Sequence, residues 1–138
     1  MDKHRIILLL NQSVSRELGA IIQYMWQHVL AKGMASPEIV ELFKDTALEE
    51  MKHAHAFAER IDQLGGAPTV KMHNVMTGVS LVEMVESNRM IEQEAIDLYN
   101  EAIGVCREEG DSTTRLLFEK ILLEEEGHFR HWRNILSD

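Results

Sequence analysis

The sequence matches itself when it is shifted by 75 positions. The clearest match joins LEEMKHA, at residues 48–54, to LEEEGHF, at residues 123–129, and both segments contain Glu-x-x-His. The matching pairs are Glu50 and Glu125, His53 and His128, Glu17 and Glu92, Tyr24 and Tyr99, Ile21 and Ile96, Phe43 and Phe118, and Phe57 and Trp132. The repeating unit is therefore longer than one motif, which suggests an ancestral duplication of a helical hairpin.

Helix breakers are scarce, because the 138 residues include only two prolines and eight glycines. Apolar residues recur at helical spacing, and Ser36 followed by Pro37 is a typical helix start. The segment APTVKMHNVMTGVS, at residues 67–80, lacks this periodicity and predicts a loop. The pattern predicts helices over residues 4–33, 37–64 and 81–107, then a turn at EEGDSTT, residues 108–114, and a fourth helix to about residue 136.

The lengths of the connections predict how these helices pack. Short connections join antiparallel neighbours, so the first helix should pair with the second and the third with the fourth. The middle connection of about 15 residues is long enough to cross the whole bundle. We therefore expect an all-α four-helix bundle with one long crossover between helices two and three. It should form a single domain over residues 1–138, made of two homologous hairpins at about 4–65 and 79–136.

Each predicted helix carries one carboxylate near its midpoint, within a stripe that is otherwise apolar. Four buried and ionised carboxylates need compensating charge, and no Lys or Arg lies in these stripes near the predicted site. Two divalent cations would supply that charge, and a His three residues after a Glu projects from the same helix face. The predicted ligands of this two-metal site are Glu17, Glu50, His53, Glu92, Glu125 and His128. The first Glu of each pair, Glu49 and Glu124, should point about 100° away and not bind metal.

Charge and cysteine content exclude several other functions. The net charge of −9 argues against nucleic-acid binding, because phosphate is also negative. The single cysteine, Cys106, excludes an intrachain disulfide and a four-cysteine metal site. The short apolar run IILLL is neither a membrane span nor a signal peptide, so we expect a cytoplasmic protein. Trp26, Met25, Val29 and Met84 are expected to be exposed apolar residues and predict a homodimer or larger homo-oligomer.

These motifs resemble bacterioferritin, a member of the ferritin-like di-iron carboxylate superfamily, over nearly the whole chain. The similar segments include RELGAIIQY, EEMKHA, VEMVESN and EEEGHFRHW. The resemblance implies a di-iron centre held by the six residues named above, with Glu50 and Glu125 bridging the ions and Tyr24 packed nearby. It also implies that Met51 is an axial ligand of haem b, shared between two subunits. A methionine in a packing surface is the alternative for Met51.

The resemblance implies a ferroxidase of iron homeostasis, which oxidises Fe(II) to Fe(III) with O2 or peroxide. A rubrerythrin-like peroxidase or di-iron oxidase is one alternative, although Ala95 stands where such proteins have a further carboxylate. A non-catalytic structural bundle holding Zn or Mn is another. The sequence ends ten residues after His128, whereas bacterioferritins continue into a fifth helix that helps form their storage cage. Assembly into a cage that stores mineral iron is therefore left open.

Overall fold

A computed structural model of the chain describes residues 1–137, and Asp138, the last residue of the predicted domain, lies outside the described residues. The helices are α1 (Lys3–Leu30), α2 (Pro37–Gln63), α3 (Leu81–Glu109) and α4 (Ser112–Leu136). Residues 1–137 contain no β-strand, and only an isolated bridge joins Lys32 to Ala35. No helix within this range is long and apolar enough to cross a membrane. The all-α prediction is confirmed, whereas the division into two homologous hairpins stays a prediction.

All four helices begin at a side chain that caps the first turn. The oxygens of Asp2, Ser36, Ser80 and Asp111 accept hydrogen bonds from the backbone N–H three residues later, at 3.0 to 3.4 Å. These bonds satisfy N–H groups that have no partner within the helix. The predicted start of α2 is thus correct.

Three predicted helix boundaries are wrong. The first helix ends at Leu30 rather than at residue 33, because the chain turns over the next residues and Gly33 has a φ of 85°. The turn predicted at residues 108–114 is much shorter, since α3 continues through Glu109 and α4 begins at Ser112. Gly110, with a φ of 75°, ends one helix, and Asp111 caps the next.

Side-chain contacts fix the direction of each helix. Arg5 of α1 pairs with Glu109 of α3, whereas Tyr24, further along α1, contacts Glu92, earlier in α3, so these helices are antiparallel. The same reversal relates α2 to α4, where Arg60 pairs with Asp111 while Glu49 contacts a residue late in α4, His128. Because α1 is also antiparallel to α2, α2 and α3 are parallel, and the segment between them crosses the bundle as predicted.

The crossover segment runs along the outer side of α1 and is fastened to it. Asn11 bonds to the backbone of residues 67 and 69, and the N–H of His73 donates to the carbonyl of Ser15 at 3.0 Å. Gln23 accepts a hydrogen bond from the N–H of Met76 at 3.0 Å. At Gly19 a Cβ would lie 2.9 Å from the carbonyl oxygen of His73, so this close approach requires glycine.

The interior consists of two apolar clusters, one toward each end of the bundle. In the first, Phe57 packs on Tyr99 and Phe118 with ring centroids 5.4 and 5.0 Å apart. In the second, Trp132 stacks between Tyr24 and Phe43 at 5.5 and 5.3 Å. The carboxylates of the predicted site lie between these clusters.

Met84 belongs to the second cluster and is fully buried, so its predicted exposure is wrong. Trp26 and Val29 are about half exposed, as predicted.

Candidate metal centre

The four helices bring the six predicted site residues together at mid-height of the bundle. The four glutamates are completely buried and the two histidines nearly so. α1 and α3 contribute one carboxylate each, whereas α2 and α4 each contribute a Glu and a His at i, i+3 on one face. The residues are Glu17, Glu50, His53, Glu92, Glu125 and His128.

These side chains form two overlapping groups of potential metal ligands. Within each group, one ligand atom from every residue lies within 4.8 Å of the others. One group is Glu17, Glu50, His53 and Glu125, and the other is Glu50, Glu92, Glu125 and His128. Glu50 and Glu125 belong to both groups, so their carboxylates lie where two cations could share them.

Each of the six residues has one buried atom without a hydrogen-bond partner among the described residues. The atoms are Glu17 Oε2, Glu50 Oε1, His53 Nδ1, Glu92 Oε2, Glu125 Oε1 and His128 Nδ1. Buried polar atoms are normally hydrogen-bonded, and leaving them without a partner is costly. Oxygen and imidazole nitrogen are the donors that bind Fe, Mn and Zn. The donor set therefore fits two metal ions of this kind.

Arg16 lies inside this cluster, so the carboxylates have a basic partner even though no Lys or Arg lies in the apolar stripes near the site. Its side chain is 5% exposed, and Nη1 contacts the Oε2 atoms of both Glu50 and Glu125. Nη1 is also 3.4 Å from Glu17, and Nη2 is 3.1 Å from Glu92. Arg16 precedes Glu17 and lies outside the apolar stripe, but its long side chain reaches back into the core.

Burial and the mixed charges shift the pKa values of the cluster in opposite directions. Burial would lower the pKa of Arg16, but the four surrounding carboxylates raise it, so the guanidinium stays charged. Burial raises the pKa of Glu125 well above its ordinary value, and the neighbouring carboxylates add to this. Although burial opposes it, the charge of Arg16 keeps the pKa of Glu17 low. Burial would lower the pKa of His53, but the nearby carboxylates of Glu17 and Glu50 outweigh it and raise the pKa to about 10.

Two further carboxylates hold the outer nitrogens of the histidines, in a crossed arrangement between α2 and α4. Glu124 contacts Nε2 of His53, and Glu49 contacts Nε2 of His128. The hydrogen bond to His128 lowers the pKa of Glu49. The Nδ1 atoms thus face the carboxylates. Nδ1 of His53 lies 3.0 Å from Glu50, and Nδ1 of His128 lies 2.9 Å from Glu125. Glu49 and Glu124 were expected only to point away, but their common 75-residue offset was a usable signal.

The family match decides the classification of the chain. Residues 7–138 match the Ferritin family, described as a ferritin-like domain. The chain belongs to the ferritin-like family and is bacterioferritin-like. The predicted ferritin-like fold is thereby confirmed.

Relatives and solved structures agree with this classification. The chain is 41% identical over 136 residues to a bacterioferritin of Desulfovibrio desulfuricans, covering 98% of this chain and 76% of the relative. A Mycolicibacterium paratuberculosis bacterioferritin is 36% identical over 124 residues, covering 89% and 78%. The X-ray structure of the D. desulfuricans bacterioferritin, with its diiron site in different catalytic states, superposes with a TM-score of 0.93 at 40% identity, covering 98% and 80%. A Rhodobacter capsulatus bacterioferritin structure, with a metal-free dinuclear site and haem iron, gives 0.93 at 30% identity, covering 97% and 84%.

Two tyrosines connect the ferritin-like hairpins at the site. The hydroxyl of Tyr24 donates a hydrogen bond to Glu92, and the hydroxyl of Tyr99 donates one to Glu17. Each tyrosine thus contacts the carboxylate of the other hairpin. Burial raises both tyrosine pKa values well above the ordinary value, and both hydroxyls stay protonated as donors. The predicted position of Tyr24 near the carboxylates is correct, and the repeat could have identified Tyr99 in the same way.

Met51 points away from the ferritin-like centre, although it follows Glu50 in the sequence. Its side chain is 48% exposed on the outer face of α2. It lines a surface groove of about 490 Å³ together with Leu48, Lys52 and His55. The fold thus separates the predicted haem ligand from the buried cluster.

Proposed function

We propose that this chain binds two iron ions in the buried cluster and oxidises Fe(II) to Fe(III) with O2 or peroxide, as a ferroxidase of iron homeostasis. One observation carries the proposal, namely that each of the six predicted ligands has a buried atom without a hydrogen-bond partner in residues 1–137. Membership of the ferritin-like family supports it.

The proposed ligand sets follow the two groups of side chains. Glu17 and His53 would hold one ion, Glu92 and His128 the other, and Glu50 and Glu125 would bridge them. Bound iron would supply the redox chemistry, since each Fe(II) gives up one electron to the oxidant. The carboxylates favour Fe(III) because they are hard anionic donors, and the imidazoles retain affinity for Fe(II).

The other residues of the site would keep the ligands in position. Tyr24 and Tyr99 each occupy one carboxylate oxygen and leave the other oxygen free to bind metal. Glu49 and Glu124 orient the histidine rings from outside. The apolar clusters above and below the site limit the access of water and thereby strengthen the electrostatic interactions within it. No protein nucleophile or general base is needed.

An anaerobic Fe(II) titration followed by exposure to O2 tests this function. We expect two Fe(II) bound per chain and rapid formation of Fe(III), both lost in Glu50→Ala. Glu41→Ala, an exposed carboxylate on the same helix, is the matched control and should behave as the wild type. Oxidation no faster than in Glu50→Ala would refute the proposal.

The same preparation separates the alternatives. Faster turnover with peroxide than with O2 would favour a rubrerythrin-like peroxidase. Tight binding of Zn or Mn in the purified protein, together with no redox cycling, would favour a structural bundle, because zinc has no accessible redox change.

Haem b at Met51 is a second part of the proposal. Met51 is half exposed beside an open groove, so its sulfur could bind haem iron at a surface shared with a second subunit. Addition of haem should give a Soret band that is lost in Met51→Leu and retained in Met90→Leu, another half-exposed methionine. An unchanged band in Met51→Leu would exclude this ligand.

We also propose a homo-oligomer of at least two subunits, located in the cytoplasm. Trp26 and Val29 support the assembly because they are half-exposed apolar residues close together on α1. The mass in solution tests this directly, and a monomer at micromolar concentration would contradict it.

A further inference from the structure

Arg16 and the proposed metal ions require the same carboxylates. Nη1 of Arg16 lies between Glu50 and Glu125, which would bridge the two ions. Nη2 contacts Glu92 at 3.1 Å and donates to the carbonyl of Ile91 at 3.3 Å. A guanidinium in this position repels divalent cations and occupies oxygens that they need. Arg16 and two bound metal ions therefore cannot share this arrangement.

A side cavity next to Arg16 offers a second position for the guanidinium. The cavity has a volume of about 390 Å³ and lies between α1, α3 and the crossover segment. Arg16 itself lines the cavity, together with Ser15, His73 and Glu94. The Glu94 side chain is 57% exposed, and Nε2 of His73 lies 3.9 Å from its carboxylate. Its carboxylate can accept a guanidinium while remaining in contact with water.

In its inner position, Arg16 is held mainly by its attraction to the carboxylates. Its Nε is buried and has no hydrogen-bond partner among residues 1–137. Once cations neutralise the carboxylates, the attraction that keeps the guanidinium inside is lost. Rotation about the side-chain bonds then moves the charge outward without any change in the helices.

From this geometry, and resting on the proposed metal function, we infer that Arg16 is a displaceable counter-cation of the metal centre. It neutralises the carboxylates in the metal-free protein and moves into the side cavity beside Glu94 when two divalent cations bind. Arg16 thereby stabilises the metal-free fold and lowers the affinity for metal.

The test compares binding of Co(II), which needs no oxidation step, in four variants. Arg16→Met should bind Co(II) about tenfold more tightly than the wild type, because the competing cation is gone. Its metal-free form should melt about 10 °C lower, since the buried carboxylates lose their partner. Glu94→Gln should weaken Co(II) binding about threefold in the wild type and have no effect in the Arg16→Met background. Glu101→Gln, an exposed carboxylate elsewhere on α3, is the control and should change neither quantity.

An NMR measurement follows Arg16 directly, even if Arg16→Met does not fold without metal. Its side-chain Nε–H signal, assigned by its absence in Arg16→Lys, should shift on addition of Zn(II) and respond to Glu94→Gln only in the loaded protein. A signal that stays unchanged on Zn(II) binding, or a Co(II) affinity in Arg16→Met equal to or weaker than that of the wild type, would overturn the inference. Co(II) binding without Fe(II) oxidation would refute the proposed function alone, whereas failure to bind any metal would refute both.

Discussion

Removal of the carboxylate behind one histidine should weaken one of the two metal positions. Glu124 contacts Nε2 of His53 and leaves Nδ1 facing Glu50. In Glu124→Ala the ring loses this partner, so its orientation and basicity are no longer fixed. Glu49→Ala removes the equivalent contact behind His128.

The structure sets the expected magnitude. Loss of a partner that orients a metal-binding histidine typically costs about 10- to 100-fold in metal affinity. Glu124 and Glu49 are 57% and 49% exposed, so water replaces part of the lost interaction. We therefore expect the lower end of the range, about tenfold, which corresponds to about 1.4 kcal/mol. Glu124→Gln keeps an acceptor oxygen without the charge and should lose less.

Binding of Co(II), followed by its visible absorption, is a suitable assay. The wild type should bind two ions, and each alanine variant should retain one ion with nearly normal affinity and bind the other about tenfold more weakly. Glu41→Ala serves as the control for loss of an exposed glutamate on the same helix as Glu49. If Glu124→Ala and Glu49→Ala both bind two ions within twofold of the wild type, the carboxylates do not orient the histidines and the reasoning is wrong.

Three further predictions concern the metal-free protein. Tyr99→Phe removes a hydrogen bond to the charged Glu17 and should lower the free energy of unfolding by about 2 kcal/mol in urea titrations, and a loss below about 0.5 kcal/mol would contradict it. Asp111→Ala should cost about 1 kcal/mol at pH 7, because Asp111 caps α4 and pairs with Arg60. Burial would raise the pKa of Asp111, but hydrogen bonds from Thr114 and the charge of Arg60 keep the pKa below its ordinary value. The stability that Asp111 contributes is therefore complete above about pH 4, and the cost of Asp111→Ala should shrink as the pH falls further. Burial raises the pKa of Cys106 to about 11, so the thiol should react with a disulfide reagent at pH 8 only as fast as the protein opens, and rapid labelling of the folded chain would contradict this.

Periodicity and spacing predicted the carboxylate cluster well because its position depends on helix geometry. A residue at a fixed place in an apolar stripe, such as Glu17 or Glu92, turns toward the core whatever its neighbours are. The start of α2 was equally predictable, since Ser36 and Pro37 act locally.

Arg16 and Met84 could not be placed by this reasoning. The stripe describes where a Cβ points, but Arg16 has a side chain long enough to reach the core from a neighbouring position. Met84 is buried because the second apolar cluster closes over the first turns of α3, which depends on tertiary packing. The turn between α3 and α4 was overestimated because Gly110 and Asp111 suffice to reverse the chain.

Arg16 also breaks the symmetry of the repeat. A shift of 75 positions places Ile91 opposite Arg16, whereas the six candidate ligands, the two tyrosines and the outer glutamates all have an identical counterpart. Two halves of the same composition would give two metal positions of equal affinity. A single unmatched arginine, reaching in from α1 only, makes the surroundings of the two positions unequal. In a duplicated fold of this kind, one side chain is enough to make one of two otherwise equivalent metal positions fill before the other.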